Sequence, residues 1–418
     1  MRNRSVILYV DLRRSPLEHR AAIEAAHRQG HGVALITGSA PPNLPGRIVV
    51  AVHAVDMLDP ATVDFAVDAI AREFRVAGVV TWSDAGVETA GRTASRLGLP
   101  GVPPAAARAA RNKHLMRTAL AGRPDLMPRF APVRTWAEAE EAAARIAFPA
   151  VLKPVAGSGS KGIFLLPDER HLRPAFEELS RITQAGADRI FHRDPGQLIY
   201  EEFMEGTEHS VEGFVHQGEV IVAGVTDKRT TEPFRLELAH VHPSALPADT
   251  LSAIDALTGV VIETLGLDDC AFHLECMSGP SGVKLVEVAA RAGGDFIASH
   301  LVGLSTGVSF SENVVRVATG LAPVLGDRPV LYAGVHKIMA QEAGTLVRID
   351  GVDEALRVPG VQHAVIDRAV GVEIRLPPTH FSSSVVGALI ASGDSAESAW
   401  DTLETAVGAV RVEIAAPG

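Results

Sequence analysis

Four short aliphatic runs alternate with helical patterns over residues 1–105, and this alternation constrains the fold more than any other feature of the sequence. The first run covers residues 6–10. It is followed by Ser15-Pro16-Leu17-Glu18, which combines a helix N-cap residue, a proline at the first helical position and a capping-box glutamate. Strands joined by helices form parallel, doubly wound sheets. We therefore expect a Rossmann-like α/β domain here, and we interpret it as a scaffold because no Gly-x-Gly-x-x-Gly follows the first run.

A proline- and glycine-rich break at residues 98–104 separates this region from the rest of the chain. Strand patterns dominate after the break, and the last part mixes short strands with a helix that begins near Asp394. We expect a second domain over residues 106–330, with a lid at about 120–200, and a small α+β domain over residues 331–418. The predicted fold class is therefore α/β and α+β.

The formal net charge of −11 argues against strongly acidic partners. Such a chain lacks the excess of positive charge that attracts DNA, RNA or an anionic membrane, so any phosphate must be bound by a local site. No apolar run approaches the ~20 residues that cross a bilayer, and the run at residues 6–10 is too short for the core of a signal peptide. Two cysteines are too few for a disulfide framework. We expect a cytoplasmic protein that binds small molecules, with no nucleic acid and no membrane partner.

A glycine-rich segment, Gly157-Ser158-Gly159-Ser160-Lys161-Gly162, lies between two predicted strands. Because a strand follows it instead of a helix, and Ile163 stands where a P-loop has its lysine, neither a Rossmann turn nor a P-loop fits. Small residues between strands suit a flap whose backbone N–H groups close over phosphate oxygens. Lys153, one of only six lysines in the chain, lies four residues upstream. An ordinary mobile hairpin is the alternative.

The stretch over residues 198–215 is rich in glutamate. Tyr200 to Met204 has the pattern of a strand end whose backbone can pair with an adenine edge, and Glu201 could accept a hydrogen bond from the exocyclic amine. Glu208 follows at a spacing suited to ribose hydroxyls. An acidic surface hairpin would have the same composition, so both interpretations stay open at this point.

Two alternating strands flank the turn at residues 278–282, which predicts a β-hairpin. If the register is symmetric about residue 281, Glu275 faces Glu287 and shares one side of the hairpin with Arg291. Directly opposed carboxylates repel, and a divalent cation that keeps positions for substrate phosphates would neutralise them. Arg291 would then contact the transferred phosphoryl group. A solvated acidic pair is the alternative, and the apolar neighbours of both glutamates disfavour it.

The order of these features resembles the ATP-grasp carboxylate–amine ligases: a lysine before a glycine flap, a glutamate-rich connector, and a glutamate hairpin that ends in arginine. The chain is most similar to the L-amino-acid ligase, or dipeptide synthetase, branch, and the resemblance spans almost its whole length. It implies an ATP-grasp fold with an N-terminal pre-ATP-grasp domain. The implied nucleotide-binding residues are Lys113, Lys153, Gly157, Ser158, Gly159, Ser160, Gly162, Glu201, Glu202, Phe203, Met204 and Glu208, with Lys228 facing the nucleotide, and the implied metal ligands are Glu275 and Glu287.

Glu237 and His240, followed by Pro243, resemble the Glu-x-x-His that lies at the amino-acid pocket in the same branch. A carboxylate can bind the ammonium group of an amino acid, and a histidine can orient or deprotonate the attacking amine. With Arg291, these two residues are the expected catalytic residues. A surface histidine is the alternative for His240.

The resemblance also implies the reaction and its cofactors. We expect ATP and Mg²⁺, or Mn²⁺ in its place, in an ADP-forming carbon–nitrogen ligase that joins an amino-acid carboxylate to an amino-acid amine through an acyl phosphate. A homodimer is the expected assembly. Ala289 stands where many members have asparagine, which leaves the number of metal ions open and argues against biotin carboxylase. The two alternatives are a bicarbonate-dependent ATP-grasp carboxylase and a non-catalytic nucleotide-binding protein.

Overall fold

The N-terminal part of the chain is a parallel sheet covered by helices on both faces. The computed structural model describes residues 4–416 except 14, 42, 185–188, 327–329 and 379. The sheet has the strand order β3-β2-β1-β4, which confirms the predicted doubly wound arrangement. Its elements are β1 (Ser5–Val10), α1 (Pro16–Arg28), β2 (Gly32–Thr37), β3 (Val49–Ala54), α2 (Pro60–Glu73), β4 (Arg75–Val80) and α3 (Val87–Leu97).

The start of α1 differs from the prediction in one respect. The side chain of Ser15 makes no capping hydrogen bond, so the predicted capping box does not form. Glu18 instead accepts a hydrogen bond from the backbone N–H of Phe296 at 3.3 Å and lies 3.6 Å from Arg13. A tertiary contact therefore replaces the local one, and it ties α1 to a distant loop.

A small antiparallel sheet follows, with the strand order β5-β8-β6-β7. Thr135 and Glu138 form a capping box at the start of one of its helices. The strands β6 and β7 pair directly, so the glycine-rich segment connects two antiparallel strands as predicted. The elements of this part are α4 (Pro104–Arg111), α5 (Lys113–Ala119), β5 (Phe130–Val133), α6 (Trp136–Arg145), β6 (Ala150–Pro154), β7 (Phe164–Leu166), α7 (Leu172–Ile182) and β8 (Leu198–Glu202).

The rest of the chain is organised around an eight-stranded sheet in the order β13-β12-β9-β10-β11-β14-β18-β16. The predicted hairpin is the edge pair of this sheet. The elements up to residue 318 are β9 (Thr207–His216), β10 (Glu219–Thr230), β11 (Glu237–His242), α8 (Ala248–Leu265), β12 (Cys270–Gly279), β13 (Gly282–Ala289), a π-helical turn (Ile297–Leu301), α9 (Val302–Thr306) and α10 (Phe310–Ala318).

The C-terminal part mixes strands and helices, and three of its strands extend the large sheet. The others form a small sheet in the order β17-β15-β19. The remaining elements are β14 (Tyr332–Met339), β15 (Gly344–Asp350), α11 (Val352–Leu356), β16 (Val361–Ile366), β17 (Glu373–Ile374), β18 (Val385–Gly393), α12 (Ala396–Ala409) and β19 (Arg411–Ala415).

Buried side chains join the N-terminal sheet to the large sheet. Ile7 and Tyr9 of β1 belong to one hydrophobic cluster with Phe214 of β9 and with Phe310 of α10. The rings of Phe214 and Phe310 stack with centroids 4.4 Å apart. This shared core fixes the carboxyl end of β4 against the end of the hairpin. Among the described helices, none is long and apolar enough to cross a membrane.

Candidate active site

A pocket of about 970 Å³ lies between the small antiparallel sheet and the β12–β13 hairpin. The glycine-rich segment, hereafter the flap, forms part of its wall. The structure therefore brings together residues that are far apart in sequence. The predicted site residues that line this pocket are Lys113, Lys153, Gly157, Ser158, Gly159, Ser160, Glu201, Glu202, Phe203, Met204, Glu208, Glu237, Glu275 and Glu287.

Gly162 lies at the base of the flap and not at the pocket surface. A Cβ there would come within about 3.1 Å of Leu179 and Pro154, and φ is +78°. Gly159 has φ +63° with open space where a Cβ would be, so a left-handed backbone and not crowding favours glycine. Ser160 donates a hydrogen bond to the carbonyl of Arg235 at 2.8 Å. The flap is therefore tied to the β10–β11 connection through Ser160, and its glycines permit its left-handed turns.

Lys153 is anchored by a buried carboxylate. Its Nζ lies 2.6 Å from Oε2 of Glu201, and Nε of Arg117 donates to Oε1 of the same carboxylate at 2.9 Å. Burial alone would raise the pKa of Glu201, but Arg117 and Lys153 lower it to about 2. The carboxylate of Glu201 is thus committed to two cations. This geometry shows that Glu201 positions Lys153, and its contact with the adenine amine stays a prediction.

The hairpin places the two predicted metal ligands opposite each other. Glu275 pairs with Glu287 in the register predicted from the sequence, and a register shift follows immediately after this pair. Glu287 forms an ion pair with Lys113. Glu275 lies 2.7 Å from Nζ of Lys228 and accepts from His273 at 3.3 Å. Each glutamate is therefore neutralised by a separate lysine.

Lys228 is a buried hub for three carboxylates. Its Nζ lies 2.8 Å from Glu208, 2.9 Å from Glu237 and 2.7 Å from Glu275. Burial would lower the pKa of Lys228, but these carboxylates hold it well above its usual range. An ammonium group has three donors, and all three have acceptors here. Lys228 therefore lies behind the pocket wall and organises the carboxylates, where we expected it to face the nucleotide.

A second, larger cavity adjoins the first and is open to solvent, and Glu237, Glu275 and Glu287 line both. Arg291 also lines the larger cavity. Its guanidinium is paired with Asp84 of the N-terminal domain, with Nη2–Oδ2 at 2.9 Å and Nε–Oδ1 at 3.2 Å. Burial alone would raise the pKa of Asp84, but Arg291 and Arg111 hold it well below its usual range.

Glu237 and His240 meet a second acidic residue, Asp295, in this region. Nε2 of His240 lies 3.3 Å from Oδ2 of Asp295, and Lys337 lies 2.7 Å from the same oxygen. Burial and Asp295 raise the pKa of Glu237 to about 7. His240 has no exposed surface, so its alternative interpretation as a surface histidine is wrong. Burial lowers the pKa of His240, so the imidazole is neutral near pH 7.

Comparison with known proteins identifies the domains of the chain. The family model of the ATP-grasp domain matches residues 146–300, and that of the ATP-grasp N-terminal domain matches residues 23–101. The crystal structure of an L-amino acid ligase from Bacillus licheniformis superimposes with a TM-score of 0.86 and 25% sequence identity, over 99% of this chain and 100% of that one. This chain contains an ATP-grasp domain preceded by an ATP-grasp N-terminal domain. The predicted fold is therefore confirmed.

Other comparisons place this ATP-grasp protein among relatives of different length. The family model of L-amino acid ligase C-terminal domain 2 matches residues 336–415. Carnosine synthase 1 of Gallus gallus is 33% identical over 66% of this chain and 31% of its own length. An uncharacterized protein of Sinorhizobium fredii is 28% identical over 70% of this chain and 59% of its own length. The chain therefore spans less than two thirds of the length of these two relatives.

The pocket of this ATP-grasp protein has the donor set that a magnesium nucleotide requires. Carboxylates such as Glu275 and Glu287 are the oxygen ligands that Mg²⁺ uses together with substrate phosphates. Lys113 and Lys153 supply positive charge at the same surface, and the flap supplies backbone N–H groups. The residues present therefore fit the nucleotide and the metal that the family implies.

Sequence reasoning missed several residues of the site. Asp84 follows β4 at the carboxyl end of a parallel sheet, where ligand-contacting residues gather, so a signal was available. Arg117 lies four residues after Lys113 on α5 and so shares its helix face. Asp295 follows two glycines near Arg291 and has a left-handed backbone with φ +50°, which the sequence does not reveal.

Proposed function

We propose that this protein is an ADP-forming carboxylate–amine ligase that joins two amino acids. The observation that carries this proposal is the paired glutamates of the hairpin, Glu275 and Glu287, which line both the pocket beneath the flap and the larger cavity. A nucleotide in the first pocket would thus have its terminal phosphate next to a space large enough for two small substrates. The relatives named L-amino acid ligase and carnosine synthase support the same class of reaction.

The first step would be phosphoryl transfer. A carboxylate oxygen of one substrate attacks the γ-phosphorus of ATP, the bond to the bridging oxygen breaks, and ADP and an acyl phosphate result. Lys113 and Lys153 would bind the phosphates, and Arg291 would contact the transferred group from the larger cavity. Bound Mg²⁺ would supply charge neutralisation and would be held by Glu275 and Glu287. The flap would exclude water, which would otherwise hydrolyse the acyl phosphate.

The second step would be amide formation. The amine nitrogen attacks the acyl carbon, the carbon–oxygen bond to phosphate breaks, and phosphate leaves. The nitrogen must lose a proton, and the pair Glu237 and Asp295 lies in the larger cavity to accept it. The neutral imidazole of His240 is hydrogen-bonded to Asp295 and would orient it. The raised pKa of Glu237, about 7, suits a base that works near neutral pH.

The direct test is ADP release by the purified chain with Mg²⁺, ATP and pairs from a panel of amino acids. We expect release that depends on two amino acids, with a dipeptide detected by mass spectrometry. Release that depends on bicarbonate alone would contradict the proposal and indicate a carboxylase. ATP binding without turnover in the whole panel would indicate a non-catalytic nucleotide-binding protein.

A further inference from the structure

We infer that Asp84 is a positioning residue that holds Arg291 in place for phosphoryl transfer, although it lies on the N-terminal domain. The inference rests on the proposed function, which gives Arg291 its contact with the phosphoryl group. It assigns part of the reaction site to a domain whose sequence suggests only a scaffold.

The pairing of Asp84 with Arg291 is bidentate and buried. Both side chains are less than 10% exposed, and the two hydrogen bonds measure 2.9 and 3.2 Å. Nη1 of Arg291 donates to the carbonyl of Ala292 at 3.0 Å. A guanidinium has five N–H groups in a fixed fork, so these contacts use three of them and fix its plane. The groups that remain belong to a side chain that lines the larger cavity.

Asp84 itself is rigidly placed. It begins a short 3₁₀ turn, Asp84–Gly86, which follows the end of β4 at Val80 after a three-residue connection. A Cβ at Gly86 would lie 2.2 Å from Oγ1 of Thr81 and 2.6 Å from the carbonyl of Val10, so only glycine lets this turn pack against β1 and β4. The carboxylate is therefore carried by the sheet and not by a mobile loop.

Two further groups converge on the same carboxylate. Nη1 of Arg111 lies 3.2 Å from Oδ1 of Asp84 and also donates to the carbonyl of Gly157 on the flap at 3.4 Å, and the side chain of Ser158, on the flap, helps to lower the pKa of Asp84. Without the negative charge, Arg111 and Arg291 would be two neighbouring cations with no shared counter-ion. Arg291 would then move away from Arg111, and the flap would lose a contact. Asp84 thus links the arginine, the flap and the N-terminal domain.

The experiment compares two ligands that differ by the γ-phosphoryl group. The affinities of MgADP and Mg-AMP-PNP are measured by calorimetry for the wild type and for Asp84→Asn. We expect the preference for Mg-AMP-PNP to fall about tenfold in the variant, which is the loss of about 1.4 kcal/mol that one contact to a charged group contributes. The affinity for MgADP should change far less, because ADP lacks the group that Arg291 contacts. An unchanged ratio of affinities would overturn the inference.

A matched control separates positioning from stability. Asp194 is also buried and pairs bidentately with Arg108, at 2.7 and 2.5 Å, and it lies outside the described residues that line the two cavities. Asp194→Asn should lower the melting temperature without changing the ratio of affinities. If Asp194→Asn lowers the ratio as much as Asp84→Asn does, the role of Asp84 is only structural and the inference fails.

Two additional measurements keep the test decisive. If Asp84→Asn does not fold, Asp84→Glu is measured instead, because it keeps the ion pair but displaces the guanidinium. It should lower the ratio of the Mg-AMP-PNP and MgADP affinities about threefold, roughly 0.7 kcal/mol, and an unchanged ratio would refute the inference. In turnover, Asp84→Asn should lower kcat/KM for ATP in amino-acid-dependent ADP release by about tenfold or more, because the lost contact to the γ-phosphoryl group weakens both ATP binding and phosphoryl transfer, and an unchanged kcat/KM would count against the inference. If the wild type shows no such release, the proposed function fails, while the ratio of affinities still decides the role of Asp84.

Discussion

Removing the charge of Lys228 should destabilise the protein more than any other single lysine substitution in the site. The Nζ of Lys228 lies within 2.7–2.9 Å of three carboxylates, and the side chain is 1% exposed. Lys228→Met keeps the length and the apolar stem of the side chain but leaves Glu208, Glu237 and Glu275 facing one another. Their mutual repulsion would then lose its shared counter-ion, and the remaining cations lie farther away: His273 at 3.3 Å from Glu275, Lys337 at 3.7 Å from Glu237 and Arg235 at 3.4 Å from Glu208.

The magnitude follows from these distances. A unit-charge pair at about 2.8 Å attracts by about 6 kcal/mol at an effective dielectric constant of about 20, but desolvation and repulsion among the carboxylates offset most of the sum. Breaking a buried ion pair by removing one partner costs about 3–5 kcal/mol. At roughly 2 °C per kcal/mol for a large domain, Lys228→Met should melt about 6–10 °C below the wild type.

The assay is differential scanning calorimetry of both proteins at pH 7.5, with Lys284→Met as the control. Lys284 is a half-buried lysine on β13 of the same sheet, and its substitution should change the melting temperature by less than about 2 °C. Adding Mg²⁺ with ADP should stabilise Lys228→Met more than the wild type, because the metal replaces the missing charge beside Glu275. A Lys228→Met protein that melts with the wild type would refute the role of Lys228 as the hub of this cluster.

Four further predictions follow from the same geometry. Glu287→Gln should lower Mg²⁺-dependent ADP release by more than about 100-fold while circular dichroism stays unchanged, since losing a ligand costs more than the roughly 10–100-fold that loss of a supporting contact costs; a fully active variant would contradict its metal role. Lys153→Met should weaken ATP binding at least about tenfold by calorimetry, because Lys153 is the pocket-lining cation that Glu201 positions; equal affinity would count against it. In the wild type, kcat for amide formation should rise as the pH increases through about 7, because Glu237 accepts a proton only when ionised. Glu237→Gln should lower kcat and abolish this rise with pH. An unchanged pH profile in the variant would argue for another base. Burial lowers the pKa of His242 to about 4, below the ordinary value of about 6.5, so the unfolded chain takes up a proton first as the pH falls. The contribution of His242 to the free energy of unfolding should be fully present above pH 6.5 and should fall by up to about 3 kcal/mol towards pH 4. His242→Gln should reduce this loss in thermal melts, and an equal loss in both proteins would show that another group is responsible.

Local patterns in the sequence were sufficient to predict the elements of the fold. The alternation in residues 1–105 and the turn at residues 278–282 both record backbone preferences of short segments, and both predictions are confirmed. The register of Glu275 opposite Glu287 was also predictable, because a tight turn and a two-residue period leave few alternatives. The capping box at Ser15 failed because a tertiary partner, the N–H of Phe296, competes for Glu18.

Ion pairing between distant segments of the chain was beyond the reach of such patterns. Nothing in the sequence indicates that Glu201 is held by Arg117 and Lys153, since these residues come from α5, β6 and β8. The pairing of Asp84 with Arg291 joins residues 207 positions apart. Such contacts depend on strand pairing and on how helices and sheets pack, which are set by the buried core and not by local spacing.

The arrangement of the lysines suggests why metal and nucleotide should bind together. Lys113 forms an ion pair with Glu287 and Lys228 forms one with Glu275, so the predicted metal ligands already have counter-ions in the protein. A metal ion alone must compete with these lysines and would place a surplus of positive charge in the site. The phosphates of ATP can form an ion pair with Lys113. Glu287 is then free to bind the metal, and the negative charge of the phosphates offsets the positive charge that the metal adds to the site. Mg²⁺ should therefore bind at least about tenfold more tightly in the presence of ADP than alone, and Lys113→Met should reduce this coupling. Equal Mg²⁺ affinity with and without ADP, measured by calorimetry, would show that the lysines do not compete with the metal for Glu275 and Glu287.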